Sequence, residues 1–212
     1  MPYPADKTSN RAIIIGGISG AGKSTITFEL ARTLNFVERA ISVTTRKKRE
    51  DEIDKKNYYF ISMKKFFELL DKEEILEYTE VLGNFYGTLK SELERIWNKG
   101  KYPLLNIDYN GVNNLEKLGI KLLKIYLLPP TYNELLKRIL QRGIDKNEFS
   151  RRIYFIKKEL KTIFNIEMQE DKNFEIEFDK LWTEKYDYII INSTFKKVVE
   201  EVKEYIRRYQ WT

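Results

Sequence analysis

The sequence predicts an α/β protein built on a mainly parallel sheet flanked by helices, and three observations carry that prediction. The stretch Gly17-Ile18-Ser19-Gly20-Ala21-Gly22-Lys23-Ser24 fits G-x-x-x-x-G-K-[ST] at every fixed position and stands between an apolar run and a helical pattern. Strand and helix patterns alternate along much of the chain, as they do in open parallel sheets. Beyond the first apolar run, short apolar segments at Tyr102–Ile107, Leu122–Leu128 and Tyr186–Ile191 are each bounded by Gly, Pro, Asn or charged residues.

Residues 1–10 are polar, contain two prolines and read as a flexible arm, unlike a signal peptide. Ala12-Ile13-Ile14-Ile15 reads as a buried strand, and Ser24–Leu34 as a helix, with Ile26, Leu30 and Leu34 on one face. Residues 11–41 thus form a first piece of core. Residues 42–88 are rich in Tyr, Thr, Phe and charge, with one helical segment near Met63–Asp71, and read as a small mixed insertion. Glu77 is placed at the end of an amphipathic helical segment. Core returns over residues 89–130 with a helix at Leu89–Asn98. Residues 131–160 concentrate Arg on helical segments, the first being Thr131–Gln141. There Pro129-Pro130 stops the preceding chain, and Thr131 with Glu134 forms a capping box. Residues 161–185 form an extended insertion, in which Phe174, Ile176 and Phe178 alternate with Glu175 and Glu177 in the manner of a strand or continue a helix. The closing core, 186–212, ends in a helix over Phe195–Tyr209.

Composition narrows the chemistry. The 212 residues carry a net charge of +6 and contain neither Cys nor His. A Ser-His-Asp or Cys-His nucleophile and a His- or Cys-ligated zinc site are therefore impossible. Lys, Arg, carboxylates, hydroxyls and an oxygen-held cation remain, which is the inventory of phosphoryl transfer. No apolar run approaches the ~20 residues that cross a bilayer, so the expectation is a cytoplasmic protein with no membrane partner. The basic cluster Arg46-Lys47-Lys48-Arg49 is broken by Glu50, Asp51, Glu52 and Asp54, which argues against a nucleic-acid surface.

A loop between strand and helix aims backbone N–H groups and the positive helix terminus at one point, which suits a polyphosphate. The glycines let the backbone approach, Lys23 reaches the outer phosphates, and the Ser24 hydroxyl is placed to ligate Mg²⁺. Within the insertion, Arg46 and Arg49 stand three apart and can grip one phosphate through charge-assisted hydrogen bonds, with Ser42, Tyr58 and Tyr86 supplying hydroxyls. Alone these arginines are ordinary loop charges; their place between Ser42 and Tyr58 marks them. Glu77, an acceptor only, can read a base edge that displays donors, as guanine N1–H and N2–H₂ do. The Thr88 hydroxyl can donate to O6.

With these residues in view, the chain resembles the guanylate kinase family of nucleoside monophosphate kinases from about Arg11 to Ile191. The motifs are G-x-S-G-A-G-K-S-T at Gly17–Thr25, S-x-T-T-R-x-x-R at Ser42–Arg49, and Tyr58-x-Phe60. They continue with G-N-x-Y-G-T at Gly83–Thr88, Asp108-x-x-Gly111-Val112, Pro129-Pro130, and Arg138-x-x-x-Arg142-Gly143. The resemblance implies a P-loop core, a GMP-binding region at 42–88 and a helical lid at 131–160, with Mg²⁺-dependent transfer from ATP to GMP. It implies that Gly17, Ser19, Gly20, Ala21, Gly22, Lys23, Ser24 and Thr25 bind ATP, with Arg138 and Asn192 near the adenine. Ser42, Arg46, Arg49, Tyr58 and Tyr86 would hold the GMP phosphate, and Glu77, Thr88 and Asp108 the guanine. Lys23, Arg46, Arg142 and Arg152 would act on the transferring group, Ser24 being the metal ligand. Arg151 is the alternative to Arg152, since adjacent helical residues do not face the same way.

Three departures stand out. Asn106 replaces the first Asp of the family's Asp-x-Asp pair, thought to support Mg²⁺ through water. Lys55 replaces a Gly before Tyr58, so that turn is expected to differ, and the 161–185 stretch is longer than the family norm. The expected partners are ATP and GMP, with dGMP as a further acceptor, and the assembly a monomer or homodimer. Two other readings are a catalytically weak or inactive phospho-ligand binding module and a kinase for another monophosphate. The intact Gly17, Gly22, Lys23 and Ser24 speak against the first, and Glu77 with Thr88 against the second.

Overall fold

The computed structural model describes residues 10–141, 143–165 and 183–209. The elements begin with β1 (Arg11–Gly17), α1 (Lys23–Thr33), β2 (Val37–Arg39), β3 (Val43–Thr44), β4 (Tyr59–Phe60), α2 (Met63–Asp71), β5 (Ile75–Val81) and β6 (Asn84–Leu89). They continue with α3 (Lys90–Trp97), β7 (Tyr102–Leu105), α4 (Tyr109–Lys117), β8 (Lys121–Leu128), α5 (Tyr132–Leu140), α6 (Lys146–Phe164), β9 (Tyr188–Ile191) and α7 (Phe195–Arg208). A five-stranded sheet has the order β2-β7-β1-β8-β9, and a four-stranded sheet the order β4-β3-β6-β5. β2 runs parallel to β7, and β8 parallel to β9, as the alternation of strands and helices requires. Two compact units are Met1–Ile13 with Ala31–Leu122, and Ile14–Leu30 with Leu123–Thr212.

In the first unit the smaller sheet has its own core of Val43, Phe66 and Ile75, packed by Tyr59, Leu70, Phe85 and Leu89. β5 and β6 form an antiparallel hairpin closed by Leu82-Gly83, both at positive φ (54° and 75°). Such a turn matches the twist of the two strands and holds their register. That register sets Glu77 opposite Thr88. Glu77 is therefore a strand residue and not the end of a helix. α2 stops at Asp71, Glu73 takes a left-handed φ of 55°, and a bulge between Ile75 and Glu77 starts the hairpin. The apolar spacing that suggests a helix here belongs to α2 alone.

The Tyr102–Ile107 run ends as a strand at Leu105, because Asp108 turns the chain into α4 by accepting the Gly111 N–H at 2.9 Å. α4 contains Gly111 and three Asn, all weak helix formers, which hide it from periodicity. β2 is too short to show a period. Lys55 keeps the turn that a Gly would make, at φ 62°, so its substitution changes the residue and not the conformation. A left-handed Lys costs about 1–2 kcal/mol.

In the second unit β8 is buried at Ile125, Tyr126, Leu127 and Leu128, as a strand covered on both faces must be. Thr131 caps α5 by accepting the Glu134 N–H at 3.1 Å, and Asp145 caps α6 in the same way through Glu148 at 2.8 Å. Each cap contributes about 1 kcal/mol. α6 runs on to Phe164 and closes on Asn165 at φ 57°. The Phe174-Ile176-Phe178 alternation lies outside the described residues. α7 buries Val198, Val199, Val202 and Ile206 on one face. No helix among the described residues is long and apolar enough to cross a membrane.

Candidate nucleotide sites

The second unit carries the phosphate loop. β1 ends at Gly17 and α1 begins at Lys23, so Gly17–Gly22 leads straight into a helix N-terminus. The first turn of α1 has no acidic residue to offset the positive end of its dipole, which suits an anion. Ser24 and Thr25 are exposed there. Lys23 Nζ bends back and donates to the carbonyls of Gly17 and, at 3.2 Å, of Ile18. These neutral acceptors bind an ammonium more weakly than a phosphate oxygen does.

Two later side chains, Asn192 and Arg152, bond this loop, and Arg138 bonds the backbone of the first. Asn192, buried after β9, donates its amide to the Ala21 carbonyl at 2.6 Å. A Cβ on Gly22 would lie 2.4 Å from that amide nitrogen, and Gly22 is at φ 91°, so a glycine is required twice over. Arg138 on α5 donates to the Asn192 carbonyl at 3.3 Å and pairs with Glu134 at 2.9 Å. Arg152 on α6 donates to Ser19 Oγ at 3.2 Å and is steadied by Glu148 one turn earlier at 2.9 Å. Arg151 is exposed, whereas Arg152 is half-buried against the loop. Arg142 lies outside the described residues.

The first unit holds a second cluster, around Glu77. Its carboxyl is 4% exposed and accepts the Thr88 hydroxyl proton at 2.5 Å. Burial pushes this carboxyl up to about 7, with the Asp108 charge adding to the rise and the Thr88 hydrogen bond opposing it. A Cβ on Gly111 would stand 2.4 Å from Glu77 Oε2, so Gly111 is the space into which the carboxylate fits. Asn106 is half-buried just past β7.

Nearby in the sequence is a cationic grip. Arg46 makes a two-pronged ion pair with Glu52 (2.9 and 2.6 Å), and its guanidinium lies 5.5 Å from the Tyr58 ring centre. Tyr58 and Tyr86 meet edge to face at 5.9 Å. Ser42 is half-buried and accepts the Tyr59 N–H on its carbonyl at 2.9 Å, and Arg49 is exposed, its backbone N–H donating to Glu52 at 2.9 Å. Glu52 therefore serves as an internal counter-ion. In the sequence it is one of several alternating loop charges and carries no signal of that role. Gly111 is visible in the sequence as a motif position, but its contact with Glu77 is not. Among the described residues no group of three or more Asp or Glu is gathered to hold a metal.

The family model described as guanylate kinase matches residues 9–181. A guanylate kinase of Lactobacillus johnsonii is 34% identical over 196 residues, covering 92% of this chain and 86% of the relative. One of Blochmanniella floridana is 37% identical over 184 residues, covering 86% and 79%. The crystal structure of a guanylate kinase from Anaplasma phagocytophilum superposes with a TM-score of 0.66 at 25% identity, covering 97% of this chain and 89% of that one. With the guanylate kinase model matched over residues 9–181 and relatives of 34% and 37% identity covered to 86% and 79% of their length, one statement follows: this chain belongs to the guanylate kinase family.

Proposed function

We propose that the chain transfers the terminal phosphoryl group of ATP to GMP, reversibly, giving ADP and GDP. The observation that carries the acceptor assignment is the buried Glu77–Thr88 pair. A carboxylate withheld from water in a strand register gains most from a ligand edge rich in donors, and guanine presents N1–H and N2–H₂. Thr88 then turns its hydroxyl to O6, and Asp108 completes the base contacts. Rejecting a base that leaves these buried groups unpaired is worth roughly 10⁴ in kcat/KM.

The GMP phosphate is itself the nucleophile, which fits a chain without His: no general base is needed. Catalysis rests on holding donor and acceptor in line and neutralising charge. Gly17 to Thr25 cradle the ATP phosphates and Lys23 leaves its loop carbonyls for the outer phosphates. Arg138 and Asn192 border the adenine. Arg46, preset by Glu52 and the Tyr58 ring, grips the GMP phosphate with Ser42, Arg49, Tyr58 and Tyr86. Arg152 and Arg142 serve the transferring group from a lid at 131–160 that closes over ATP and excludes water. The 42–88 segment is the acceptor region.

Mg²⁺ fits the residues present. It keeps several waters and prefers one or two protein oxygens plus phosphates to an all-protein cage, so the exposed Ser24 hydroxyl suffices as its direct ligand. Held there, it would supply neutralisation of phosphate charge. Asn106→Asp is expected to lower the Mg²⁺ concentration at half-maximal rate about threefold or more, since a carboxylate holds a hydrated cation better than an amide does; a magnesium titration of the rate checks it.

Gly111→Ala is expected to push Glu77 out of its place and raise the KM for GMP by about 10–100-fold, with the KM for ATP unchanged. Steady-state kinetics with each substrate varied in turn checks this. We further place the enzyme in the cytoplasm, as a monomer or homodimer that also accepts dGMP. The deciding experiment is ADP formation from ATP and Mg²⁺ with GMP, dGMP, AMP, CMP, UMP and dTMP. Turnover confined to GMP and dGMP supports the proposal. Binding of GMP without turnover would make the chain a nucleotide-binding module instead.

A further inference from the structure

Glu92 is a buried carboxylate to which the sequence motifs assign no role. It stands on α3 at 3% exposure, yet it is fully satisfied. Its Oε1 accepts the Tyr59 hydroxyl at 2.8 Å and Arg95 Nε at 3.0 Å. Its Oε2 accepts the Ile41 backbone N–H at 2.9 Å and Arg95 Nη2 at 3.0 Å. Arg95 is held in turn by Glu38, which also binds Lys99 at 2.9 Å. Burial works to raise the Glu92 carboxyl, and the bonds from Arg95, Ile41 and Tyr59 outweigh it, so the group is held below its ordinary value and ionised.

These bonds tie together two segments that carry acceptor-site hydroxyls. Ile41 immediately precedes Ser42, and Tyr59 immediately follows Tyr58. The Tyr59 N–H also donates to the Ser42 carbonyl at 2.9 Å. Ser42 stands just before β3 and Tyr58 just before β4, strands only two residues long each. A ladder that short cannot fix a side chain to the tolerance that phosphate binding needs. A charged acceptor rooted in a helix can.

We propose that Glu92 is a positioning residue for the acceptor site: by holding Ile41 and Tyr59 at one carboxylate, it sets the distance between the Ser42 and Tyr58 hydroxyls that receive the acceptor's phosphate. The inference rests on the acceptor assignment under Proposed function. Arg95 keeps the carboxylate charged and aimed, and Glu38 keeps Arg95 extended.

The test is steady-state kinetics on Glu92→Gln, Tyr59→Phe and the double variant, with Tm measured on each. Glu92→Gln keeps the volume but offers one acceptor atom in place of two, and Tyr59→Phe deletes only the linking hydroxyl. The KM for GMP is expected to rise about tenfold for Glu92→Gln and about threefold for Tyr59→Phe, with the KM for ATP unmoved. The double variant should be less impaired than the product of the two, because both cut one link. A fall in Tm and active fraction with both KM values in place would show a role in the fold only and overturn the proposal. Should Glu92→Gln fail to fold, Tyr59→Phe decides alone, its failure to move the GMP KM counting against the proposal. Ser42→Ala is the control for the underlying assignment. If it leaves the GMP KM unchanged, the acceptor assignment fails and takes this inference with it. If it raises the GMP KM while Glu92→Gln does not, only the positioning role fails.

Discussion

Glu77→Gln is expected to erase most of the preference for GMP over AMP, a fall on the order of 10³–10⁴ in the ratio of kcat/KM values. The reason lies in the donor and acceptor count. A carboxylate offers acceptors on both oxygens, whereas glutamine presents an NH₂ to at least one guanine donor and leaves two buried N–H groups facing each other. Competition kinetics with GMP and AMP checks it; an unchanged ratio would remove Glu77 from base reading.

The same residue predicts a pH dependence. Its carboxyl is pushed from 4.5 up to about 7, burial being the main cause. Guanine donors need the ionised form, so the KM for GMP should climb as pH falls below about 7, and Glu77→Gln should flatten that part of the profile. The stability effect has the opposite sense. With the folded value raised, the favourable contribution is fully present below 4.5 and is lost as pH rises through about 7, where the buried charge must form. Glu77→Gln should therefore stabilise the ligand-free protein at about pH 8 by an amount on the order of 1–3 kcal/mol, and have little effect at about pH 4, seen as a pH-dependent difference in Tm. On the proposed assignment, base selectivity and stability are opposed at this one side chain.

Lys23→Ala should reduce kcat by about 10³ or more while leaving the fold intact. The ammonium donates to two loop carbonyls, those of Gly17 and Ile18, and Thr27 Oγ1 donates to the Lys23 carbonyl whatever the side chain. Removing it costs little in the resting state. In the transition state, however, charge spreads over the phosphoryl oxygens, and Lys23 at the N-terminus of α1 is expected to meet it. Lys23→Arg should not restore the rate, because the planar fork is larger than an ammonium and cannot fit the same loop. Single-turnover rates with circular dichroism on each variant check both statements. A loss of less than about tenfold would mean that the lid arginines carry the charge instead.

Much of this is legible in the chain itself, and the particulars show why. G-x-x-x-x-G-K-S marks a phosphate loop because each fixed residue answers a local demand of backbone geometry or charge, so no distant contact is needed to read it. The Thr131–Glu134 cap and the one-sided apolar spacing of α7 are local in the same sense. α4 and β2 are not legible, since weak helix formers under a capping Asp and a three-residue strand leave no period to detect. Periodicity puts Glu77 on a helix because α2's apolar spacing runs up to it, and only the hairpin register sets it opposite Thr88.

The sequence by itself therefore determined the class of fold, the family and the G-x-x-x-x-G-K-S loop, all of which depend on residue types at short spacings. Only the tertiary structure decided that Arg152 rather than Arg151 meets Ser19, and that Glu52 holds Arg46 in readiness. It alone decided that Gly111 makes room for Glu77, and that Glu92 binds Ile41 to Tyr59. The physical reason is common to most of them. Periodicity and local motifs record what a segment does with its own backbone. The partner of a buried charge is chosen by which side chains from remote segments the folded chain brings within hydrogen-bond reach, and no local spacing encodes that choice.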